Sequence, residues 1–438
     1  MKNQTILIKG GQVVTSKETK QADILISNQK IIQVAPSIQA SHDYLINANN
    51  HFILPGIIDP QVHFREPGLT HKEDISTGSM AAASGGVTTF FEMPNTIPTT
   101  TTTKTLDQKY KIAKQTSLVN YNFFFGATKD NIEEIKNLKE CCGLKIFMGS
   151  STGSLLVNED EALDRIFSVC NKVIAVHAED EDILNQSAHY TKGTDFNMHL
   201  KARPVEAAVA ATKKAIKLAL KYKKRLHVLH VSTAEEVDMI RQHQSTQLIT
   251  AETTPQHLLL EAPDIYNEMG AFAQMNPPIR EKYHQEALWE GLFDGTINCI
   301  ATDHAPHTLS EKKLPYGQAP SGMPGVETSL TLMLNEVSNK KATINNIVHW
   351  MCENPAKAYK IKNKGFIKPG FDADLTIVDM NKKKTILNEN MKTKCGWSAF
   401  NGIETTGWPI TTIVLGHIVY DNEKLNLDVR GKKVKIDN

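Results

Sequence analysis

The stretch ILPGIIDPQVHFREPG, residues 53–68, opens on an apolar run and closes on polar side chains: Gln61, His63 and Arg65 follow within a few residues of the run's end. Apolar strands with chemistry-bearing residues just past their C-terminal ends are what a parallel α/β barrel is made of, because the βα loops converge there. The same unit recurs downstream. Residues 87–91, 122–125, 144–148, 173–177, 226–231, 248–252 and 297–302 read as further strands, and with 53–58 they make eight. Between them, 131–138, 159–169, 205–220 and 233–243 carry the 3.6-residue apolar spacing of helices, and the Thr-rich loop 99–103 leads into a helix over 104–115. Eight alternating units predict an α/β fold, a (β/α)8 TIM-like barrel. A doubly wound open sheet is the rival; it usually has fewer strands and a glycine fingerprint after the first, which this sequence lacks.

Outside the barrel the texture is that of a small all-β unit. Short strand-like runs at 5–9, 12–14, 22–27 and 30–34 open the chain. The same pattern returns at 373–379 after a turn-rich stretch at 365–370, and 411–415 and 417–420 flank Gly416 as a hairpin. The reading is a β-sandwich domain formed by both termini, residues 1–54 and 366–438, around a barrel at 55–365.

Composition narrows the function classes. With 49 Lys and Arg against 48 Asp and Glu, the net charge of +1 gives no field to recruit nucleic acid or an anionic membrane, so the expected partner is a small molecule. The six cysteines (141, 142, 170, 299, 352, 395) show no CxxC spacing, which suits a reducing compartment. No stretch approaches the roughly 18 apolar residues of a membrane helix, and residues 1–14 lack a signal-peptide core, so a soluble, cytoplasmic protein is expected.

Polar residues cluster at the predicted strand ends. Gln61, His63 and Arg65 follow the first strand, Asn95 the second; Lys145 lies within the fourth; His177 and His230 end the fifth and sixth; Asp303, His304 and His307 follow the eighth. One histidine is an ordinary polar residue, but several at successive strand ends suggest a metal centre, and imidazole with carboxylate suits zinc or a similar divalent ion. Such an ion polarises a carbonyl and lowers the pKa of water, while Asp303 takes the proton and returns it to a leaving nitrogen. Lys145 inside the apolar GLKIFMG has two readings: its stem snorkels out of the barrel, or burial lowers its pKa and leaves an amine that CO2 can carbamylate. Arg65 offers a planar fork for a substrate carboxylate, with a surface ion pair to Glu66 as the bland alternative. Asn95 and Asn276 adjoin prolines and read equally as turn residues.

Taken in order, DPQVHFREPG (59–68), FEMPNT (91–96), GLKIFMG (143–149), VHAED (176–180), LHVST (229–233), NPPIR (276–280), ATDHAPH (301–307), SGMPGVET (321–328), ENPAK (353–357) and KPGFDADL (368–375) resemble the dihydroorotase family over nearly the whole chain. The resemblance implies an enzyme interconverting dihydroorotate and N-carbamoyl-aspartate in pyrimidine synthesis, with one or two zinc ions. By likeness, His63, carboxylated Lys145 and Asp303 hold one metal, and Lys145, His177 and His230 the other; Arg65, Asn95, Asn276, His307 and the backbone of Ser321 and Gly322 hold substrate. Two positions depart from the family. Gln61 stands where the family usually has the first His of an HxH pair, a weaker ligand that leaves open a one-zinc site. Ser321 stands where related loops often carry a bulky apolar residue. The alternatives are another cyclic amide hydrolase, such as a hydantoinase or allantoinase, without the carboxylate clamp, and a non-catalytic scaffold for aspartate transcarbamoylase. A homo-oligomer is expected, and the Ser- and Gly-rich 149–153 is a candidate lid.

Overall fold

The computed structural model describes residues 4–151 and 155–437. Eight parallel strands form one sheet in sequential order: β6 (Ile57–Val62), β7 (Val87–Glu92), β8 (Asn120–Gly126), β9 (Gly143–Phe147), β10 (Ile174–His177), β11 (Leu226–Val228), β12 (Ile249–Thr253) and β13 (Cys299–Ile300). The ring closes just beyond its shortest strand. Val62 bridges His304 in parallel, and the His63 amide donates to the His304 carbonyl at 2.7 Å. Asp59 adds a side-chain fastening: its buried carboxylate accepts from the Thr302 hydroxyl at 2.6 Å and the Thr302 amide at 3.1 Å. The barrel expected from the alternating pattern is the fold observed.

Both ends of the chain build a second, mixed sheet of nine strands. Its order is β17 (Lys424–Leu425), β16 (His417–Asp421), β15 (Glu404–Val414), β14 (Leu375–Thr385), β5 (Phe52–Pro55), β1 (Ile6–Val14), β2 (Thr19–Ser27) and β3 (Lys30–Ala35), with β4 (Tyr44–Asn47) also on β1. Inward residues from both ends of this order, Ile24, Ile26 and Ile31 on one side and Leu375, Ile377 and Ile413 on the other, meet in one apolar cluster, so the sheet curls around a core of its own. The two-residue alternation of buried side chains is what lets a single face supply that core.

One expected strand is corrected. The run 53–58 divides at Gly56: Phe52–Pro55 pairs with β14 and β1 in the terminal sheet, and Ile57–Val62 starts the barrel. An apolar run with no polar break hides a change of sheet from periodicity. At Gly56 a Cβ would meet the Thr88 hydroxyl oxygen at 2.1 Å, so glycine is required where the chain passes from one sheet to the other. The shift also places Gln61 inside β6 rather than beyond it. Helices at Thr103–Thr116, Asp160–Val169, Val205–Tyr222 and Ala234–Arg241 match expectation within a few residues, while the one expected over 131–138 shrinks to Ile132–Lys136. All six cysteines are buried and free. No described helix is long and apolar enough to cross a membrane.

Candidate active site

The C-terminal ends of the barrel strands bring the expected residues together in three hydrogen-bonded groups. In the first, His63 Nε2 lies 3.0 Å from Asp303 Oδ1, and its Nδ1 lies 2.8 Å from the side-chain Oδ1 of Asn95. Gln61 Nε2 donates to the same Asp303 oxygen at 3.0 Å. In the second, His177 Nδ1 faces His230 Nε2 at 3.0 Å. In the third, Arg65 donates through Nε to the Pro306 carbonyl at 3.2 Å and approaches His307 Nε2 through Nη2 at 3.3 Å, while His307 Nε2 meets the Ser321 carbonyl at 3.0 Å. All these side chains except Ser321's are buried. Three non-glycine residues here, Arg65, His230 and Asp303, sit at φ 63°, 37° and 47°. Such left-handed backbone is costly, and it gathers where a site must aim its groups.

Lys145 is 1% exposed, which excludes snorkelling. Its Nζ lies 4.5 Å from the centre of the Phe147 ring, and no described group hydrogen-bonds to it. Burial pulls its pKa down to about 7. Burial likewise keeps His63, His177 and His230 neutral, with the charge of Lys145 acting in the same direction on all three. Asp303 goes the other way: burial opposes ionisation, but the neighbouring His63, followed by His230 and Lys145, draws its pKa down to about 2. The arrangement is a set of neutral nitrogen donors and one firm carboxylate around a lysine that burial brings close to neutrality.

Among the described residues, no three His, Cys, Asp or Glu side chains converge as a finished metal set. The donors instead come as two pairs, His63 with Asp303 and His177 with His230, and Lys145 is electrostatically coupled to both. Orphaned atoms indicate what the pairs lack. With Nδ1 of neutral His63 donating to Asn95, the Nε2 lone pair confronts a carboxylate oxygen, a contact that a cation relieves. Gln61 Oε1 and His230 Nδ1 are buried without partners among the described residues. The donor set fits a divalent cation once Lys145 carries a carboxylate, and it fits better on the His177–His230 side than where Gln61 replaces an imidazole.

Other expected residues fall less centrally. Arg65 is 2% exposed and makes no ion pair with Glu66, whose carboxylate instead accepts from the Ile75 amide. Asn276 donates to Ser151 Oγ at 3.4 Å, with its Oδ1 buried and without a partner among the described residues. The Gly322 amide is already bonded to the Gln274 carbonyl at 2.8 Å, which removes it as a free donor to substrate. At φ 132°, with a Cβ that would lie 2.7 Å from the Ala305 carbonyl oxygen, this position admits only glycine. His304 is turned away: its Nδ1 accepts from the Gly325 and Val326 amides. Of the candidate lid, residues 152–153 lie outside the described residues. Sequence reasoning missed Lys72, whose ammonium donates to His307 Nδ1 at 3.0 Å and pairs with Glu311 at 2.9 Å. It also missed Glu179 and Arg203, although Glu179 stands two residues after His177 within VHAED.

An eight-stranded parallel barrel with such donors at its strand ends defines the class of barrel hydrolases. The Amidohydrolase family model matches residues 52–419. Dihydroorotase from Methanosarcina acetivorans is 38% identical over 96% of this chain and 93% of its own, and dihydroorotase from Staphylococcus aureus 35% identical over 95% and 100%. Among solved structures, an L-hydantoinase (dihydropyrimidinase) from Arthrobacter aurescens superposes with a TM-score of 0.93 at 30% identity, covering 97% of both chains, and a dihydropyrimidinase from Brevibacillus agri with 0.90 at 28%, covering 99% of both. The chain belongs to the amidohydrolase family and is a cyclic amide hydrolase.

Proposed function

We propose that the chain is a zinc-dependent dihydroorotase, opening and closing the dihydroorotate ring in pyrimidine synthesis. The observation that carries this reading is the buried Arg65 guanidinium beside the His63–Asp303 pair. Its Nε and Nη2 meet protein atoms, and its Nη1 has no hydrogen bond among the described residues. A largely buried guanidinium, held through two of its nitrogens and open at the third, suits an anion, and the ring carboxylate of dihydroorotate is one. The curated relatives named dihydroorotase support the same choice.

On this reading carboxylated Lys145, His177 and His230 hold zinc, and Lys145, His63 and Asp303, with Gln61 as a weak neutral neighbour, hold a second ion less firmly. Bound there, zinc acts as a Lewis acid on the ring carbonyl and lowers the pKa of water. The protein's own residues do the rest. Arg65 and Asn95 fix the substrate carboxylate, and with it the ring's orientation. His307, set by Lys72 and the Ser321 carbonyl, lines the same edge, and Asn276, bonded to Ser151, adds an amide to the substrate. Asp303, ionised at neutral pH, takes the proton of the attacking water and returns it to the ring nitrogen as the amide bond breaks.

The fold likeness to hydantoinases gives a second reading, a neutral ring as substrate, and Gln61 a third, a scaffold with an empty site. One assay separates them: following the opening of dihydroorotate, hydantoin and allantoin by purified protein with and without added zinc. Dihydroorotate is expected to be opened preferentially and zinc to be required. Preference for a neutral ring refutes the carboxylate clamp, and no turnover of any ring together with no zinc retained leaves the scaffold.

A further inference from the structure

His177 does not stand alone in its pocket. Its Nε2 lies 2.8 Å from Glu179 Oε2, and Glu179 is 0% exposed. The guanidinium of Arg203 grips that carboxylate, with Nε 3.0 Å from both oxygens and Nη2 on Oε2. Because a carboxylate only accepts, the hydrogen between His177 and Glu179 belongs to the imidazole. The Arg203 Nη2 also donates to the Ser150 carbonyl at 2.7 Å, and the Arg203 carbonyl is held by Arg280 Nη1 at 2.7 Å. Ser150 is fixed in turn by Glu181, through its amide at 2.6 Å and its hydroxyl at 2.7 Å. A Cβ on Gly149 would lie 2.4 Å from the Glu179 carbonyl oxygen, so this segment packs directly on the Glu179 backbone.

We infer that Glu179, clamped by Arg203, is a positioning residue that holds His177 in its Nε2–H form, so that the Nδ1 lone pair points at His230, and that Arg203 couples this setting to the 149–151 segment. The inference deepens the proposed function, since it rests on His177 and His230 as a cation-binding pair. An imidazole that donates one ring N–H to a carboxylate is fixed in tautomer and orientation and is more basic at the other nitrogen. The Glu179 carboxylate is taken up by His177 and Arg203. Its effect passes through His177.

The test starts from metal-free wild-type protein, in which long-range proton–nitrogen correlation reads the two ring nitrogens of His177, assigned by the signal lost in His177→Gln. A protonated Nε2 and a bare Nδ1 are expected. Glu179→Gln should mix the two tautomers and weaken zinc binding, measured against a chromophoric chelator, by about 10- to 100-fold. Arg203→Lys, which keeps the charge but loses the fork, should give a smaller loss. A wild-type His177 protonated at Nδ1 overturns the inference, and so does a folded Glu179→Gln that binds zinc as tightly as wild type. If Glu179→Gln does not fold, the wild-type spectrum alone decides. None of these readouts needs a substrate, so a protein that leaves dihydroorotate intact but shows this tautomer and this affinity loss refutes the substrate reading and leaves the role of Glu179 standing.

Discussion

Removing the Arg65 fork tests the substrate reading most directly. Arg65 is 2% exposed, and burial lowers its pKa only to about 10, so it stays charged at any working pH. A hydrogen bond between charged partners contributes about 1.5–3 kcal/mol, and a carboxylate held by a guanidinium edge together with a neighbouring amide such as Asn95 falls at the upper end. Arg65→Ala should therefore cost about 3 kcal/mol of binding, roughly a hundredfold in kcat/KM at about 1.4 kcal/mol per factor of ten. Arg65→Lys keeps a charge without a planar fork and should recover part of the rate. The assay is the initial rate of dihydroorotate ring opening beside that of a neutral hydantoin. The loss should fall on the anionic ring. Equal losses on both rings, or an unchanged kcat/KM, would refute the assignment of Arg65 to the carboxylate.

Gln61→His should raise the bound divalent metal, counted by elemental analysis, because an imidazole replaces a carboxamide whose Nε2 now donates to Asp303 at 3.0 Å; an unchanged count would place Gln61 outside the metal's reach. Lys145→Met should abolish high-affinity zinc binding and yet stabilise the metal-free protein in chelator. Folding pulls this lysine from 10.5 down to about 7, so at neutral pH it opposes folding by roughly 4 kcal/mol at about 1.4 per pKa unit. That gain should shrink as pH rises toward 10.5, where the unfolded lysine gives up its proton too; a urea midpoint that stays put at pH 7 contradicts it. Lys109→Met should destabilise by about 3–5 kcal/mol by stranding Glu92, which it meets at 2.6 Å with both side chains buried. Adding Glu92→Leu should recover most of that loss, and additive losses in denaturant titrations would show that the pair is not coupled.

The barrel was legible because each strand carries its own signal, an apolar run ending in polar residues, and that signal survives without knowledge of neighbours. Residues 53–58 show where such a signal fails. Ile53 and Ile57 are equally apolar, and only the partners, β14 for one and β7 for the other, decide which sheet each joins. The candidate site was legible in its types and not in its pairings. His63, Lys145, His177, His230 and Asp303 announce themselves as donors at strand ends. That Gln61 turns its amide to Asp303, or that Gly322 gives its amide to Gln274, depends on side-chain rotation and loop path that no spacing encodes. Arg203 is the clearest omission. It lies 24 residues past Glu179, outside every motif, and its role exists only because the chain folds back.

Charge balance explains why the proposed parts belong together. Glu179 is matched by Arg203, and Asp303 accepts from Gln61, but among the described residues Lys145 has no carboxylate partner within hydrogen-bond reach. As an ammonium it would be a buried, unpaired charge, and as a neutral amine it would leave the two histidine pairs with nothing to bridge them. Carboxylation turns that cation into an anion, which by itself would be as costly among buried neutral imidazoles. Only with a divalent ion added does the negative charge acquire a partner and the lone pairs of His177 and His230 an acceptor. The proposed centre thus requires lysine, CO2 and metal to assemble as a unit, and loss of metal should be accompanied by loss of the carboxylate and return of Lys145 to an amine.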